Sequence, residues 1–212
     1  MMRIIDPPRD QFGELPTRLT RGEQQVIDLF DQKLPAKWEI YVQPHLNGLR
    51  PDIVLLNPGV GVAVFEVKDW DLGAMQYYAE QDRFGRPVLW ASDKNGRRFS
   101  READNPINKI LLYERELFEL YCPRLDGAGR GVVTAGLVFP CSPQLEVERV
   151  FEPFRRSHHK MQRHMDYYPI SGSERVSSGN VRKLFPECWR TSSLYMNEDI
   201  AADLRGWLKE PL

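Results

Sequence analysis

The chain has 212 residues and a formal net charge of -1, from 29 Lys and Arg against 30 Asp and Glu. That length points to one domain, or one domain with an elaboration, large enough to bury a core, and the balanced charge gives no global signal for a polyanionic partner. No apolar run reaches membrane-spanning length, the N-terminus "MMRIIDPPRDQ" lacks an apolar signal segment, and three widely spaced cysteines (Cys122, Cys141, Cys188) contain no CxxC. A membrane protein, a disulfide framework and a structural zinc are therefore not expected, and the three cysteines read as structural in a reducing, cytoplasmic setting.

The Pro-rich stretch 1–19 reads as an irregular lead-in. "TRGEQQVIDLFDQKL" reads as a helix, with Val26, Ile27, Phe30 and Leu34 on one face. "WEIYVQP" reads as a short strand. "PDIVLLNPGVGVAVFEVKDW" reads as two strands joined at "NPGVG", both apolar on both faces, so that layers cover both sides of their sheet. "YYAEQDRFGRPVLWASDKNGRRFS", with turn signals at Gly85 and Asn95-Gly96, reads as a hairpin edging that sheet. "DNPINKILLYERELFELY" is a helix, capped by Asn105 with Pro106 at its first position. "GVVTAGLVFP" is another buried strand. Further on, "LEVERVFEPF" reads as a strand, "SGNVRKLF" as a short helix and "NEDIAADLRGWL" as an amphipathic helix capped by Asn197. The sum is an α/β fold, a mixed sheet flanked by helices.

The "FEVKDW" end of the second strand stands out chemically. Side chains two apart on a strand share a face, so Val62, Val64, Glu66 and Lys68 lie together. Folding the preceding strand back about Gly59 places Asp52 opposite Glu66, each seven residues from the pivot. Their Cβ atoms would then lie about 4.5–5.5 Å apart, close enough for repulsion to raise one pKa. A divalent cation between them removes the repulsion. Carboxylate oxygens with the Val67 main-chain carbonyl favour Mg²⁺ or Mn²⁺, and Lys68 could orient a water or neutralise charge on a phosphate. The competing reading makes Asp52 and Glu66 strand-end charges, with Lys68 a simple ion-pair partner.

Glu23 falls on the core-facing stripe of the first helix, where a carboxylate is unexpected unless it looks into a site. Thr20-x-x-Glu23 also fits a capping box, which would use Glu23 at the helix terminus alone. Lys109 and Tyr113, four apart on one helical face, read either as a solvated lysine over a half-buried tyrosine or as a pair beside a scissile phosphate. Arg97 and Arg98 sit at a hairpin tip, where they either meet a nucleic-acid backbone or keep an edge soluble. "SHHKMQRH" (with His158, His159 and His164) has poor metal-ligand spacing and reads as a solvated loop or a basic patch. Tyr77, Tyr78 and Trp90 read as core, with base stacking as the alternative.

Asp52 followed by Glu66-x-Lys68 resembles the Asp…(Asp/Glu)-x-Lys pattern of the restriction-endonuclease-like superfamily. The ordered set "GEQQVIDLF", "RPDIVLLNPGVGVAVFEVKDW" and "NPINKILLY" resembles, more narrowly, the nuclease-related domain (NERD) family, over roughly 22–120. The resemblance implies a restriction-endonuclease-like core over 20–140, with 141–212 as a C-terminal elaboration packed on it. It implies that Glu23, Asp52 and Glu66 bind Mg²⁺ and that Lys68 assists hydrolysis of a DNA phosphodiester. It also implies Lys109 and Tyr113 at the substrate, although relatives often carry Gln at the position of Lys109. Members often adjoin a helicase or kinase-like domain. No GxxxxGK loop occurs here, so a helicase would be a separate partner or lie in another part of a longer protein. The expected activity is that of a Mg²⁺-dependent deoxyribonuclease in DNA processing, repair or defence. The alternative is a non-catalytic nucleic-acid-binding module assisting a helicase. A third reading is a protein scaffold docking through Ile200, Leu204, Trp207 and Leu208.

Overall fold

The computed structural model describes residues 3–46, 48–121 and 132–209. The first long element, helix α1 (Arg21–Lys33), starts where Thr20 accepts from the Glu23 amide, and it buries Val26, Ile27, Leu29 and Phe30. Strand β2 (Glu39–Val42) then pairs antiparallel with β3 (Ile53–Asn57), and β3 with β4 (Gly61–Val67). The β3–β4 register runs from Ile53 opposite Phe65 to Asn57 opposite Gly61, which is the pivot on Gly59. Gly61 has φ +157° with the Val132 carbonyl oxygen 2.1 Å from where a Cβ would sit, so only glycine fits there. Strand β8 (Val133–Val138) lies parallel to β4, and β9 (Ile170–Ser171) parallel to β8. With β1 (Ile5–Asp6) parallel to β2, the sheet is six-stranded and mixed, in the order β1-β2-β3-β4-β8-β9.

Strands β2, β3, β4 and β8 are buried throughout, so both faces are covered, as their unbroken apolarity requires. On one face Val54, Leu56, Val62, Val64, Ala135 and Leu137 pack under α2 (Pro106–Glu116), α3 (Gln144–Ser157) and α7 (Glu198–Leu208). On the other, Ile53, Leu55, Ala63 and Phe65 meet α1, α5 (Ser173–Ser177) and α6 (Val181–Leu184). Phe65 is central to that second core, with its ring centroid 5.1 Å from Phe30 and 5.6 Å from Phe185. Asn105 and Asn197 cap α2 and α7 as expected, accepting from the Ile107 and Ile200 amides.

Four expectations are corrected. Strands β5 (Gln76–Gln81), β6 (Pro87–Ser92) and β7 (Arg98–Ser100) make their own antiparallel three-stranded sheet and do not edge the main one. "LEVERVFEPF" is helix, not strand: Val147, Val150, Phe151 and Phe154 are its buried residues, at i, i+3, i+4 and i+7. The lead-in is not wholly irregular, because it contains β1 and a 3₁₀ turn over Arg9–Glu14. Lastly, the stripe proposed for docking is core, with Ile200, Leu204 and Leu208 buried and Trp207 half-exposed. Cys188 is buried and Cys141 exposed; Cys122 lies outside the described residues. Among those residues no helix is long and apolar enough to cross a membrane. The short helix α4 (His159–Arg163) follows α3.

Candidate active site

Asp52 immediately precedes β3 and Glu66 is the penultimate residue of β4. One step beyond the Ile53–Phe65 pair, the β-ladder sets the two carboxylates side by side on the face covered by α2. Glu66 is 1% exposed. Its Oε1 accepts from Lys68 Nζ at 2.5 Å and from Lys109 Nζ at 3.1 Å, and its Oε2 accepts from the Tyr113 hydroxyl at 3.0 Å. Lys109 and Tyr113 reach it together because they lie one turn apart on α2. Asp52 Oδ2 accepts from the Val67 amide at 2.7 Å. The chain leaving β4 is then anchored where the Ser142 hydroxyl donates to the Trp70 carbonyl at 2.6 Å and accepts from the Leu72 amide.

The electrostatics divide the two carboxylates. Burial, then the neighbouring Glu66 charge, pushes the Asp52 carboxyl up to about 8 against the pull of the Val67 amide and Lys68. Burial alone would depress Lys68, but Glu66, Asp52 and Glu23 outweigh it and hold the ammonium above the ordinary lysine value. Burial and Glu66 keep the Tyr113 hydroxyl firmly protonated as a donor. Glu66 thus has two ammonium partners and a phenol, whereas among the described residues no cation is bonded to Asp52.

Glu23 makes the capping box: its Oε2 accepts from the Thr20 amide at 2.7 Å, and its own amide donates to Thr20 Oγ1 at 3.1 Å. It is also buried, and its charge adds to the shifts of Asp52 and Lys68. Capping and nearness to the site, set against each other on the sequence, therefore coexist. Among the described residues no three His, Cys, Asp or Glu side chains converge as a metal-holding group, so Glu23 does not complete a triad with Asp52 and Glu66. Two carboxylates do suit Mg²⁺, which commonly retains several waters and takes one or two protein carboxylates. The Asp52 carboxyl is raised by its burial and by the Glu66 charge beside it.

Of the remaining candidates, Tyr113 and Lys109 belong to this site and the others lie elsewhere. Tyr113 is buried, not half-buried, and its hydroxyl serves Glu66. Lys109 remains 46% exposed at its side chain while touching Glu66. Arg98 is tied into the small sheet, donating to the Tyr78 hydroxyl, pairing with Glu80 and lying over Trp90. Arg97 is exposed at the β6–β7 turn. Tyr77 is buried, stacked on Trp70 at 5.1 Å. The basic segment around His158 is largely answered by acids: Arg155 and Arg156 pair with Glu152, and Lys160 pairs with Glu114 at 2.5 Å. Sequence reasoning missed Asp69, which accepts from the Gly22 amide at 3.0 Å in the first turn of α1. It also missed Arg50, whose carbonyl accepts from Tyr113 at 3.4 Å. Arg50 precedes the Pro51-Asp52 pair, and only that adjacency could have drawn notice.

The nuclease-related domain model matches residues 18–140, which span α1, both site strands, the small sheet, α2 and β8. The chain belongs to this family, and it is an α/β protein carrying a nuclease-related domain. No curated protein and no solved structure matches it.

Proposed function

We propose that the chain hydrolyses DNA phosphodiester bonds with a divalent cation, Mg²⁺ or Mn²⁺, held by Asp52 and Glu66. The observation that carries this reading is the buried pair itself. Setting two carboxylates side by side, one pushed up to about 8, costs stability that a bound cation would recover. The cation would polarise the scissile phosphate and lower the pKa of a bound water. The Val67 carbonyl is the remaining protein donor expected there, and Glu23 acts at longer range through its charge. Asp52 would hold the cation as the ionised carboxylate. Tyr113 holds the Glu66 carboxylate in one rotamer, leaving Oε1 toward the lysines. Lys68, the first residue after β4, bonds Glu66, where an ammonium can orient the water or stabilise the charge that develops on phosphate. Lys109, half-exposed, is placed to contact the substrate backbone.

A binding-only module is favoured by one observation: Glu66 Oε1 already carries two ammonium groups, which satisfy it without metal. The two readings separate on purified protein incubated with supercoiled plasmid, linear duplex and single-stranded DNA in Mg²⁺, Mn²⁺ or EDTA, beside Glu66→Gln. Metal-dependent cutting lost in the variant supports hydrolysis, and the preferred substrate gives its mode. DNA binding without cutting, in wild type and variant alike, establishes the module, with a helicase as the partner to look for.

A further inference from the structure

A cavity of about 470 Å³ is lined by Gln43, His45, Arg50, Asp6, Glu14 and Lys209 among others, with Arg50 two residues before Asp52 in the chain. It lies at the same end of the sheet as the carboxylates. Strand β2 ends at Val42, and the next residue, Gln43, donates its amide to the Asp52 carbonyl at 2.9 Å. From β4 to β2 is two strand spacings, roughly 10 Å, a distance that a nucleic-acid strand covers in a few steps of ~3.4 Å rise.

Two independent features mark this cavity. Among the described non-glycine residues, Gln43 is the one with positive φ, +49°. The conformation is held by its side-chain amide, which donates to the Thr17 carbonyl at 2.9 Å and accepts from the Thr17 amide at 3.2 Å. Strained backbone that is held on both sides is commonly associated with a binding or catalytic site. Second, Arg50 Nη1 is buried with no hydrogen-bond partner among the described residues. A buried charged donor left unpaired is expensive, and the described residues supply no acceptor for it. His45 accepts from the Gly48 amide through Nε2 at 3.1 Å, which leaves Nδ1 to carry the ring proton and donate. Of the charged residues here, Asp6 is paired with Lys209 at 3.4 Å and Glu14 is exposed at the rim. Arg50 is the cation left for an incoming anion.

We infer that this cavity is a subsite for a backbone phosphate of the nucleic acid near the one attacked at Asp52 and Glu66, with Arg50 and His45 as its donors. The inference rests on the nucleic-acid reading of the main site but not on catalysis there. Its test is fluorescence anisotropy of a labelled single-stranded oligonucleotide in EDTA over a salt series, for wild type, Arg50→Ala, Arg50→Lys and His45→Ala. Losing one phosphate contact lowers the slope of log affinity against log salt by about 0.7 for a single strand. We expect that change with severalfold weaker binding in Arg50→Ala, recovery of the slope in Arg50→Lys, and a smaller loss in His45→Ala. An Arg50→Ala protein with wild-type affinity and slope overturns the subsite. If Arg50→Ala does not fold, Arg50→Lys and His45→Ala decide: weaker binding in both supports the subsite, and wild-type binding in both overturns it. Competition by inorganic phosphate with no oligonucleotide binding also overturns it, because the cavity would then take free phosphate. A wild type that binds through Arg50 but never cuts keeps the subsite and removes catalysis; one that cuts equally well without Arg50 does the reverse.

Discussion

At the scale of single residues, Asp52 is where fold and chemistry conflict. Burial and the Glu66 charge push its folded carboxyl up to about 8, whereas an unfolded aspartate titrates near ~3.9. Between those values the folded protein holds a proton that the unfolded chain has lost. Folding stability contributed by this group therefore falls as pH rises from about 4 to about 8 and levels off above. In EDTA the melting temperature of wild type should drop by several degrees across that interval relative to Asp52→Asn, which cannot titrate there; at this chain length 1 kcal/mol is about 2–4 °C. Mg²⁺ should narrow the gap at pH 8, because it favours the ionised carboxylate. A melting-temperature difference that stays flat with pH would show that Asp52 is not buried against Glu66 in this way. Glu66 and Lys68 were legible as a pair because side chains alternate strictly on a strand, and Asp52 because a short symmetric turn fixes the register. The Tyr113 bond to Glu66 was half legible: helical spacing set it beside Lys109, but only α2 lying over β4 shows what the hydroxyl holds.

At the scale of elements, the parallel contact of β4 with β8 seats the site strand. Phe65 faces Gly136 across that pair, and a Cβ on Gly136 would lie 2.4 Å from the Phe65 ring. Phe65 cannot retreat, since Phe30 and Phe185 pack against it. Gly136→Ala should therefore destabilise by about 1–3 kcal/mol, the usual penalty for overpacking a filled core, read as a lower denaturant midpoint with unchanged slope. A neutral result would mean that β8 can shift sideways. The reading of β4 and β8 as buried strands succeeded because unbroken apolar runs bounded by turn residues are a strong local signal. The strand reading of "LEVERVFEPF" (145–154) failed because Glu and Arg between the apolar residues imitate alternation over a few positions, whereas the full run follows the 3.6-residue period. The three-stranded sheet was legible as strands and turns but not as a separate sheet, since hairpin signals do not say which neighbour an edge joins.

At the scale of the molecule, the family match ends at residue 140 while the core does not. β9 extends the sheet from β8, and α3 and α7 fill the face that carries Glu66. Arg205 of α7 grips the buried Glu39 of β2 with contacts at 2.7 and 3.0 Å, and Tyr41 donates to the same carboxylate at 2.7 Å. Removing Arg205 would strand a buried charge. A chain truncated after Phe139 should consequently fail to fold cooperatively, giving no sharp thermal transition and poorly dispersed amide resonances. A truncated chain that melts sharply would show the matched region to be self-sufficient.

The sequence by itself determined the two site strands, their turn, the capped helices and the facing of Asp52, Glu66 and Lys68, because each follows from spacing along a few residues. Tertiary structure decided which oxygen of Glu66 each partner takes, that Glu23 caps its helix while its charge reaches Asp52, and that Arg50 and Gln43 border one cavity. Those outcomes depend on elements far apart in the chain coming to share one dry volume, where burial sets the strength of every charge and no local pattern records it.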